Sequence, residues 1–213
     1  MQDRGEYVSK NSSMVFLQHL ERYKFASKYT KEKVVLDVAC GSGYGTEYLL
    51  RNGASKAVGV DISEKAIDEA KSKHSGEFHI MDATNLAFED NHFDCVVSFE
   101  TIEHLTEYRK FLEEIRRVTK NDGIVIMSTP NYIFEVVKYR YHVKNFRKEE
   151  FINLFKEYFK DVTFFGQSKW FLAFPGRGLL ERIFGLTQDT RIYELSDMKI
   201  NPQIMIAVGV NSK

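Results

Sequence analysis

The sequence has little cysteine, no excess of charge and no long apolar run. Only two of its 213 residues are cysteines, Cys40 and Cys95, which indicates a reducing compartment and argues against a disulfide framework. Basic and acidic residues number 30 each, so the net charge is zero and nucleic-acid binding is not expected. No apolar run approaches the ~20 residues that span a membrane, and the polar first residues do not form a secretory signal. We therefore expect a cytoplasmic protein without stable membrane insertion.

Short apolar runs alternate with segments of helical periodicity from residue 33 onward. This alternation predicts βαβ units and a mainly parallel sheet. We predict a Rossmann-like α/β fold with helices on both faces of a mostly parallel, seven-stranded sheet whose last strand is antiparallel. The predicted strands are residues 34–39, 56–60, 77–81, 94–99, 124–128, 162–165 and 203–210.

A glycine cluster follows the first predicted strand, in the segment VLDVACGSGYG. Gly41, Gly43 and Gly45 permit a tight turn and a close approach of the backbone to a ligand at the start of a helix. A dinucleotide site requires G-x-G-x-x-G, and here Thr46 stands at the third glycine position, while a G-K-[ST] motif is absent. Asp37, four residues before Gly41, suits a ligand that carries positive charge near the loop.

Two further acids stand at predicted strand ends, Asp61 in VGVDIS and Asp82 in HIMDAT. The Asp61 carboxylate can accept hydrogen bonds from both hydroxyls of a ribose. Asp82 can accept from an exocyclic amine such as that of adenine, and the Ala83 N–H can donate to a ring nitrogen. Together with the glycine loop, the three acids predict a site for a nucleoside with a cationic amino-acid tail.

These segments, over roughly residues 34–130, resemble the class I S-adenosylmethionine-dependent methyltransferases, in particular the methyltransferase-type-11 group that includes ubiquinone and menaquinone biosynthesis enzymes. The resemblance implies S-adenosylmethionine as cofactor and methyl transfer to an oxygen or nitrogen of a small molecule. That acceptor would be a sugar or nucleotide-sugar, a quinone precursor or another metabolite. The alternatives are an NAD-type Rossmann oxidoreductase and a non-catalytic binding protein that retains the fold.

The same resemblance assigns roles to the cofactor-binding residues. The methionine part would lie against Asp37 and the loop of Gly41 and Gly43, and Asp61 would hold the ribose. Adenine would lie against Asp82 and Ala83, and the floor beneath the sulfonium would be Phe99 and Glu100. Ala39 and Ile62 complete the predicted cofactor-binding set.

The fourth predicted strand ends in SFETIEHL, which places Glu100, Glu103 and His104 beside the expected methyl group. His104 is a candidate general base, assisted by Glu103, because imidazole titrates near neutral pH. The alternative is that Glu103 and His104 only open the next helix. The spacing E-x-x-E-H also resembles that of ubiquinone-pathway O-methyltransferases, which implies a divalent cation such as Mg²⁺ or Mn²⁺.

A second candidate base, His142, follows the fifth predicted strand. Three tyrosines lie near it in sequence, and three basic residues form a patch that fits an acidic or phosphorylated acceptor or else a solvated face. The tyrosines are Tyr132, Tyr139 and Tyr141, and the basic residues are Lys138, Arg140 and Lys144.

We predict a single domain over residues 1–213. Residues 1–30 are expected to form a helical lid that includes Tyr7, residues 31–130 the cofactor-binding core, and residues 131–147 and 166–202 acceptor-side loops. The second of these loops is an insertion between the last two strands. Its apolar part, 169–186, fits a roof over the acceptor pocket, a homodimer interface or a contact with a membrane surface or lipid-like acceptor.

Overall fold

A computed structural model of the chain describes residues 12–134, 142–169, 190–195 and 201–213. The five α-helices of these residues are α1 (Ser12–Thr30), α2 (Tyr44–Arg51), α3 (Glu64–Lys73), α4 (Tyr108–Val118) and α5 (Lys148–Tyr158). The strands are β1 (Val34–Val38), β2 (Lys56–Asp61), β3 (Glu77–Ile80), β4 (Phe93–Phe99), β5 (Thr119–Pro130), β6 (Lys160–Lys169), β7 (Thr190–Glu194) and β8 (Ile204–Val210).

The strands form one eight-stranded sheet in the order β3-β2-β1-β4-β5-β8-β6-β7. The pairs β1–β2, β1–β4, β2–β3 and β4–β5 are parallel. Strand β8 is inserted antiparallel between β5 and β6, so β6 runs in the same direction as β5. The predicted fold class, mostly parallel with an antiparallel last strand, is confirmed.

The sheet has one strand more than the seven predicted. The additional strand β7 lies inside the predicted insertion 166–202 and pairs antiparallel with β6, from Phe165↔Glu194 to Lys169↔Thr190. Strand β6 itself extends to Lys169, past the predicted start of the insertion. The sequence of β7, TRIYE, is a short edge strand with little apolar character, which is why the apolar pattern misses it.

The helices cover the sheet through apolar stripes of helical spacing. Apolar residues at positions i, i+1, i+4 and i+7 predict a buried stripe on α4, and all four are 0% exposed: Phe111, Leu112, Ile115 and Val118. Each such burial stabilises the fold by about 1.5–3 kcal/mol. Helix α3 begins where the sequence predicts, since the Ser63 hydroxyl accepts a hydrogen bond from the Ala66 N–H.

The segment Asn121, Asp122 and Gly123 has a composition typical of a turn, yet it lies within the long strand β5. Phe93 of β4 pairs with Thr119, but Cys95 pairs with Ile124, so residues 120–123 form an irregular excursion with Asp122 at a φ of 61°. The buried Asn211 side chain donates to the carbonyls of Arg116, Thr119 and Lys120 and fixes this excursion. After this excursion β5 pairs with β4 again in a defined register. That register places Ser128 and Thr129 at the carboxyl end of the strand, beside Glu100 and Glu103.

Helix α1, predicted as part of a lid, is partly built into the core. Tyr23, Phe25 and Ala26 are 4%, 8% and 0% exposed, and the Phe25 ring packs on Phe165 with 4.7 Å between centroids. Tyr7 lies outside the described residues, so the lid remains a prediction.

Both cysteines, Cys40 and Cys95, are buried free thiols, as expected for a chain without a disulfide framework. In the part of the chain that the structure describes, no helix combines the length and apolar character needed to cross a bilayer.

Candidate active site

The glycine loop between β1 and α2 turns through a series of left-handed residues. Ala39, Gly41 and Gly43 have φ angles of 60°, 56° and 84°, and the Gly43 N–H donates to the Cys40 carbonyl at 3.1 Å. A Cβ on Gly43 would stand 2.6 Å from the Ala70 Cβ, whereas a Cβ on Gly41 would meet nothing within 4 Å. Gly43 is therefore required for packing, and Gly41 faces open space that a ligand can enter.

The Asp61 carboxylate links the end of β2 to the glycine loop. Its Oδ2 accepts a hydrogen bond from the Gly41 N–H at 2.9 Å, and its Oδ1 accepts from the Ser63 N–H at 2.9 Å. A carboxylate oxygen can accept more than one hydrogen bond, so both atoms retain capacity for ribose hydroxyls. The side chain of Ile62, next in sequence, is 51% exposed and offers an apolar surface beside this carboxylate.

Asp37 is more enclosed than the sequence predicts for a residue that faces a ligand. It is 1% exposed, its Oδ2 accepts from the Thr46 hydroxyl at 2.7 Å, and the Tyr23 hydroxyl lies 3.2 Å from each of its oxygens. Burial raises the pKa of Asp37 to about 7, although the hydrogen bonds from Thr46 and Tyr23 act in the opposite direction. Asp37 thus connects β1, α2 and α1, and its role at the methionine part stays a prediction.

The third predicted acid, Asp82, comes after β3, which ends at Ile80, and does not close that strand as the sequence predicts. Asp82 is exposed, and its Oδ1 accepts from the N–H and the hydroxyl of Thr84 at 2.8 and 2.9 Å. These two bonds shape a small turn that presents the half-buried Ala83 at the same edge of the sheet. The remaining carboxylate oxygen is available to an exocyclic amine.

The end of β4 supplies Phe99 and Glu100 between the glycine loop and β5. The Phe99 ring packs edge-on against Tyr23, with 5.0 Å between ring centroids. Glu100 has a φ of 54°, its N–H donates to the Ser128 carbonyl, and its Oε1 accepts from the Ser128 hydroxyl at 2.8 Å. The Glu100 side chain is thereby directed toward the end of β5.

A carboxyl group and two imidazoles meet beyond β4. Glu103 is 1% exposed, and its Oε2 accepts from the Thr129 hydroxyl at 3.0 Å. The Glu103 carbonyl accepts the N–H groups of Val143 and Lys144, which brings His142 against His104 with 4.8 Å between ring centroids. The structure therefore places the two histidines predicted as alternative bases in direct contact.

Burial raises the pKa of Glu103 well above its ordinary value, and the negative charge of Glu100 raises it further. Its Oε1 lies 3.9 Å from His104 Nε2, and no hydrogen bond to this buried oxygen comes from any described residue. Glu103 and His104 belong to a separate 3-10 turn, Ile102–His104, and α4 begins only at Tyr108. The alternative that they open the next helix is therefore wrong.

The donor atoms of Glu103, His104 and His142 lie within 4.8 Å of one another, close enough for one metal ion to be considered. Glu100, which the E-x-x-E-H spacing includes, is not part of this group among the described residues. Glu100 instead binds Ser128.

Some predicted acceptor-side residues fall outside the described part of the chain: Lys138, Tyr139, Arg140, Tyr141 and 170–186. Of the others, Tyr132 is 38% exposed. Lys144 lies 3.5 Å from Glu150 and also over the Phe146 ring, so it does not face a ligand as a free cation.

Two polar residues near the site were not predicted as functional, Arg22 of α1 and Gln167 of β6. The Arg22 Nη1 donates to the Gln167 Oε1 at 2.6 Å across 145 positions of sequence. No local motif signals such a pair. The apolar residues at helical spacing between 16 and 23 place Tyr23 on the packed face of the helix. The same spacing gives no reason to expect Arg22 to be buried as well.

Comparison with known proteins gives a consistent family. Residues 36–127 match a family model described as a methyltransferase domain. A probable S-adenosylmethionine-dependent methyltransferase of Mycobacterium tuberculosis is 32% identical over 120 residues, which are 55% of this chain and 43% of that protein. A demethylmenaquinone methyltransferase of Staphylococcus haemolyticus is 30% identical over 192 residues, which are 84% of this chain and 79% of that protein.

The fold has close counterparts among solved structures. A methyltransferase of Thermotoga maritima, described as a possible histamine N-methyltransferase, superposes with a TM-score of 0.69 at 19% identity and covers 92% of each chain. At that identity the superposition establishes the fold alone. The chain also spans less than half the length of several of the curated relatives that it matches, the M. tuberculosis protein among them.

Proposed function

The chain belongs to the methyltransferase-domain family of S-adenosylmethionine-dependent enzymes, and we propose that it transfers a methyl group to an oxygen or nitrogen atom of a small molecule. One observation carries the proposal above the others. The Asp61 carboxylate accepts a hydrogen bond from the Gly41 N–H, at the point where the glycine loop faces open space. The group that can bind ribose hydroxyls therefore lies directly beside the turn that can face the ligand.

The cofactor cradle, formed by the glycine loop with Asp61, Asp82 and Ala83, fits the nucleoside and amino-acid parts of S-adenosylmethionine. Asp61 would hold the ribose, Asp82 and Ala83 the adenine edge, and Gly41 the methionine end. Ile62, 51% exposed, gives the adenine ring an apolar face. When bound, the cofactor supplies an electrophilic methyl group on a sulfonium.

The chain's own contribution at the acceptor is alignment and removal of a proton. Holding the acceptor atom in line with the methyl group supplies much of the reduction in barrier. His104 and His142 are the groups suited to accept the proton of a hydroxyl or ammonium at neutral pH. Burial favours the protonated form of Glu103, and the Thr129 hydroxyl, which donates to its Oε2, holds this carboxyl beside His104.

The names of the relatives suggest which acceptors to test. The S. haemolyticus protein is named for its action on demethylmenaquinone, and a quinone precursor is therefore one acceptor to test. A sugar or nucleotide-sugar is the second. A hydroxylated quinone precursor and a sugar each offer a hydroxyl that a histidine can deprotonate.

A metal-assisted variant of the reaction is the second candidate. Of the two ions that the sequence suggests, one carboxylate and two imidazoles with donor atoms within 4.8 Å suit Mn²⁺ better than Mg²⁺, because Mg²⁺ prefers oxygen ligands. Fe²⁺ and Zn²⁺ suit the same donor set. Glu103, His104 and His142 would hold such an ion, which would supply Lewis-acid activation of an acceptor hydroxyl.

The test is transfer of an isotopically labelled methyl group from S-adenosylmethionine to a panel of hydroxylated quinone precursors, sugars and nucleotide-sugars. Product with at least one panel member, lost in Asp61→Ala, supports the proposal. Cofactor binding without product from the whole panel would favour a non-catalytic binding protein. Activity that is lost on chelation and restored by Mn²⁺ or Zn²⁺ would select the metal-assisted variant.

The cytoplasmic location, the absence of nucleic-acid binding and a homodimer through 169–186 remain predictions. Retention of RNA at physiological salt would contradict the second of them.

A further inference from the structure

The guanidinium of Arg22 is buried and forms no ion pair with any residue that the structure describes. Arg22 is 1% exposed, yet among the described residues its hydrogen-bonding partner is the neutral amide of Gln167, and its Nε–H has no acceptor. The same Gln167 side chain donates from Nε2 to the Gln18 carbonyl at 2.9 Å. The amide orientation is thus fixed from both sides, with its oxygen toward Arg22.

A buried cation in this state is physically unusual. Removing a guanidinium from water is costly unless a carboxylate or another anion compensates its charge. The neutral amide satisfies one N–H group but supplies no negative charge. The arrangement is consistent with a site that is completed by an anionic ligand, since Arg presents several parallel N–H groups to carboxylates and phosphates.

Through Gln167, Arg22 contacts the edge of the sheet at which β5 ends. Successive helical residues point about 100° apart, so Tyr23 faces Asp37 and the glycine loop while Arg22 faces Gln167 of β6. Strand β6 runs in the same direction as β5, which places Gln167 near the edge where β4 and β5 end. The positive charge of Arg22 acts on Glu103 at this edge, because it lowers the pKa of Glu103. The opposite effect of burial on that pKa is larger.

Two titratable neighbours of Arg22 in the described part of the chain supply no anion, and burial raises the pKa of a third, Glu103, well above its ordinary value. Burial and then the Arg22 charge lower the pKa of His19 to about 3, so His19 is a neutral neighbour. Tyr44, held protonated with a pKa raised to about 12 mainly by burial, is neutral as well.

We propose that Arg22 and Gln167 form an anion subsite that binds a carboxylate or phosphate group of the methyl acceptor. The inference rests on the proposed function and narrows its substrate class to anionic molecules. The anion would accept hydrogen bonds from the Arg22 N–H groups, which turns the acceptor so that its nucleophilic atom lies toward His104 and His142.

The test uses protein saturated with S-adenosylhomocysteine, titrated with inorganic phosphate at constant ionic strength, with the thermal midpoint of unfolding as readout. Phosphate is expected to raise the midpoint of the wild type. In Arg22→Met, phosphate binding should weaken about tenfold or more, because a charged hydrogen-bonding partner is lost. Lys24→Met, a change of an exposed cation on the same helix, is the matched control and should bind phosphate as the wild type does.

Two further readouts separate a ligand site from a structural role. Arg22→Met should unfold at the same or a higher temperature than the wild type without ligand, because an uncompensated buried charge has been removed. Gln167→Glu supplies an internal anion and should suppress phosphate binding with Arg22 still present. It decides the question even if Arg22→Met does not fold.

Several outcomes would overturn the inference. Equal phosphate binding by the wild type and Gln167→Glu, or none by the wild type, would remove the subsite. A loss of affinity in Arg22→Met for S-adenosylhomocysteine but not for methylthioadenosine would assign Arg22 to the cofactor's carboxylate instead. Failure of S-adenosylhomocysteine to bind the wild type would count against the proposed function itself, and is seen before phosphate is added.

Discussion

The Tyr23 hydroxyl lies 3.2 Å from both carboxylate oxygens of Asp37, and this contact joins α1 to the first strand of the sheet. The Tyr23 ring also occupies the space above Gly45, where an added Cβ would stand 2.0 Å from the ring carbon Cζ. Helix α1 therefore packs against the residues on both sides of the glycine loop, and the shape of the predicted cofactor site depends on where α1 lies.

Gly45→Ala should destabilise the protein by about 1–3 kcal/mol, since the new methyl group must displace the Tyr23 ring. Chemical denaturation of the single and double variants measures the effect. In a Tyr23→Ala background the same change should be nearly neutral, because the ring it would meet is gone. Equal effects of Gly45→Ala in both backgrounds would contradict the packing described.

Asp37 should make stability fall as the pH rises. Its pKa is raised from 3.8 to about 7 in the folded protein, so between these values the folded state binds more protons than the unfolded state. The free energy of unfolding must then decrease with pH in this window, by at most about 1.4 kcal/mol per pH unit.

The measurement compares the wild type with Asp37→Asn, because other titrating groups cancel in the difference. The wild type should lose stability relative to Asp37→Asn between pH 3.8 and about 7, and the difference should level off above that range. A difference that is constant, or that grows in favour of the wild type as the pH rises, would show that Asp37 is ionised in the folded protein.

Asp61→Ala should weaken binding of S-adenosylhomocysteine by more than about tenfold, because the ribose hydroxyls lose a charged acceptor and the Gly41 N–H loses its partner. Calorimetric titration gives the dissociation constant directly. Asp68→Ala, which removes an exposed carboxylate from α3, is the matched control and should bind as the wild type does. Unchanged affinity of Asp61→Ala would refute the assignment of the ribose site.

His104→Ala should lower kcat about 100-fold or more on any acceptor that needs deprotonation, with little change in cofactor affinity. His142→Ala tests the second base in the same assay. His92→Ala, an exposed histidine at the start of β4, serves as control. If His104→Ala retains the full rate and His142→Ala does not, the base is His142. Full rates in both would leave alignment of the acceptor as the catalytic contribution.

The sequence predicted the fold well, because the fold follows from local patterns, and the cofactor-binding residues stay a prediction. Apolar runs of strand length gave seven strands, and the stripe of α4 gave its buried face. The glycine loop lies directly beside Asp61, as expected for a strand end followed by a turn. Short polar β7 carries no such pattern and was missed.

Contacts between distant segments were beyond prediction. The N–H groups of Val143 and Lys144 donate to the Glu103 carbonyl, and His142 thereby lies against His104. Asp37 also differs from expectation, since its burial depends on Tyr23 and Thr46, which come from different helices. Arg22 and Gln167 are 145 positions apart in the sequence, and no motif around either residue predicts their contact.

The most direct measurement of the central claim is a pair of calorimetric titrations, one with S-adenosylhomocysteine and one with NADH. The cradle of Gly41 and Asp61 should bind S-adenosylhomocysteine with one-to-one stoichiometry and bind NADH much more weakly or not at all. Tighter binding of NADH, or no heat with S-adenosylhomocysteine, would contradict the account.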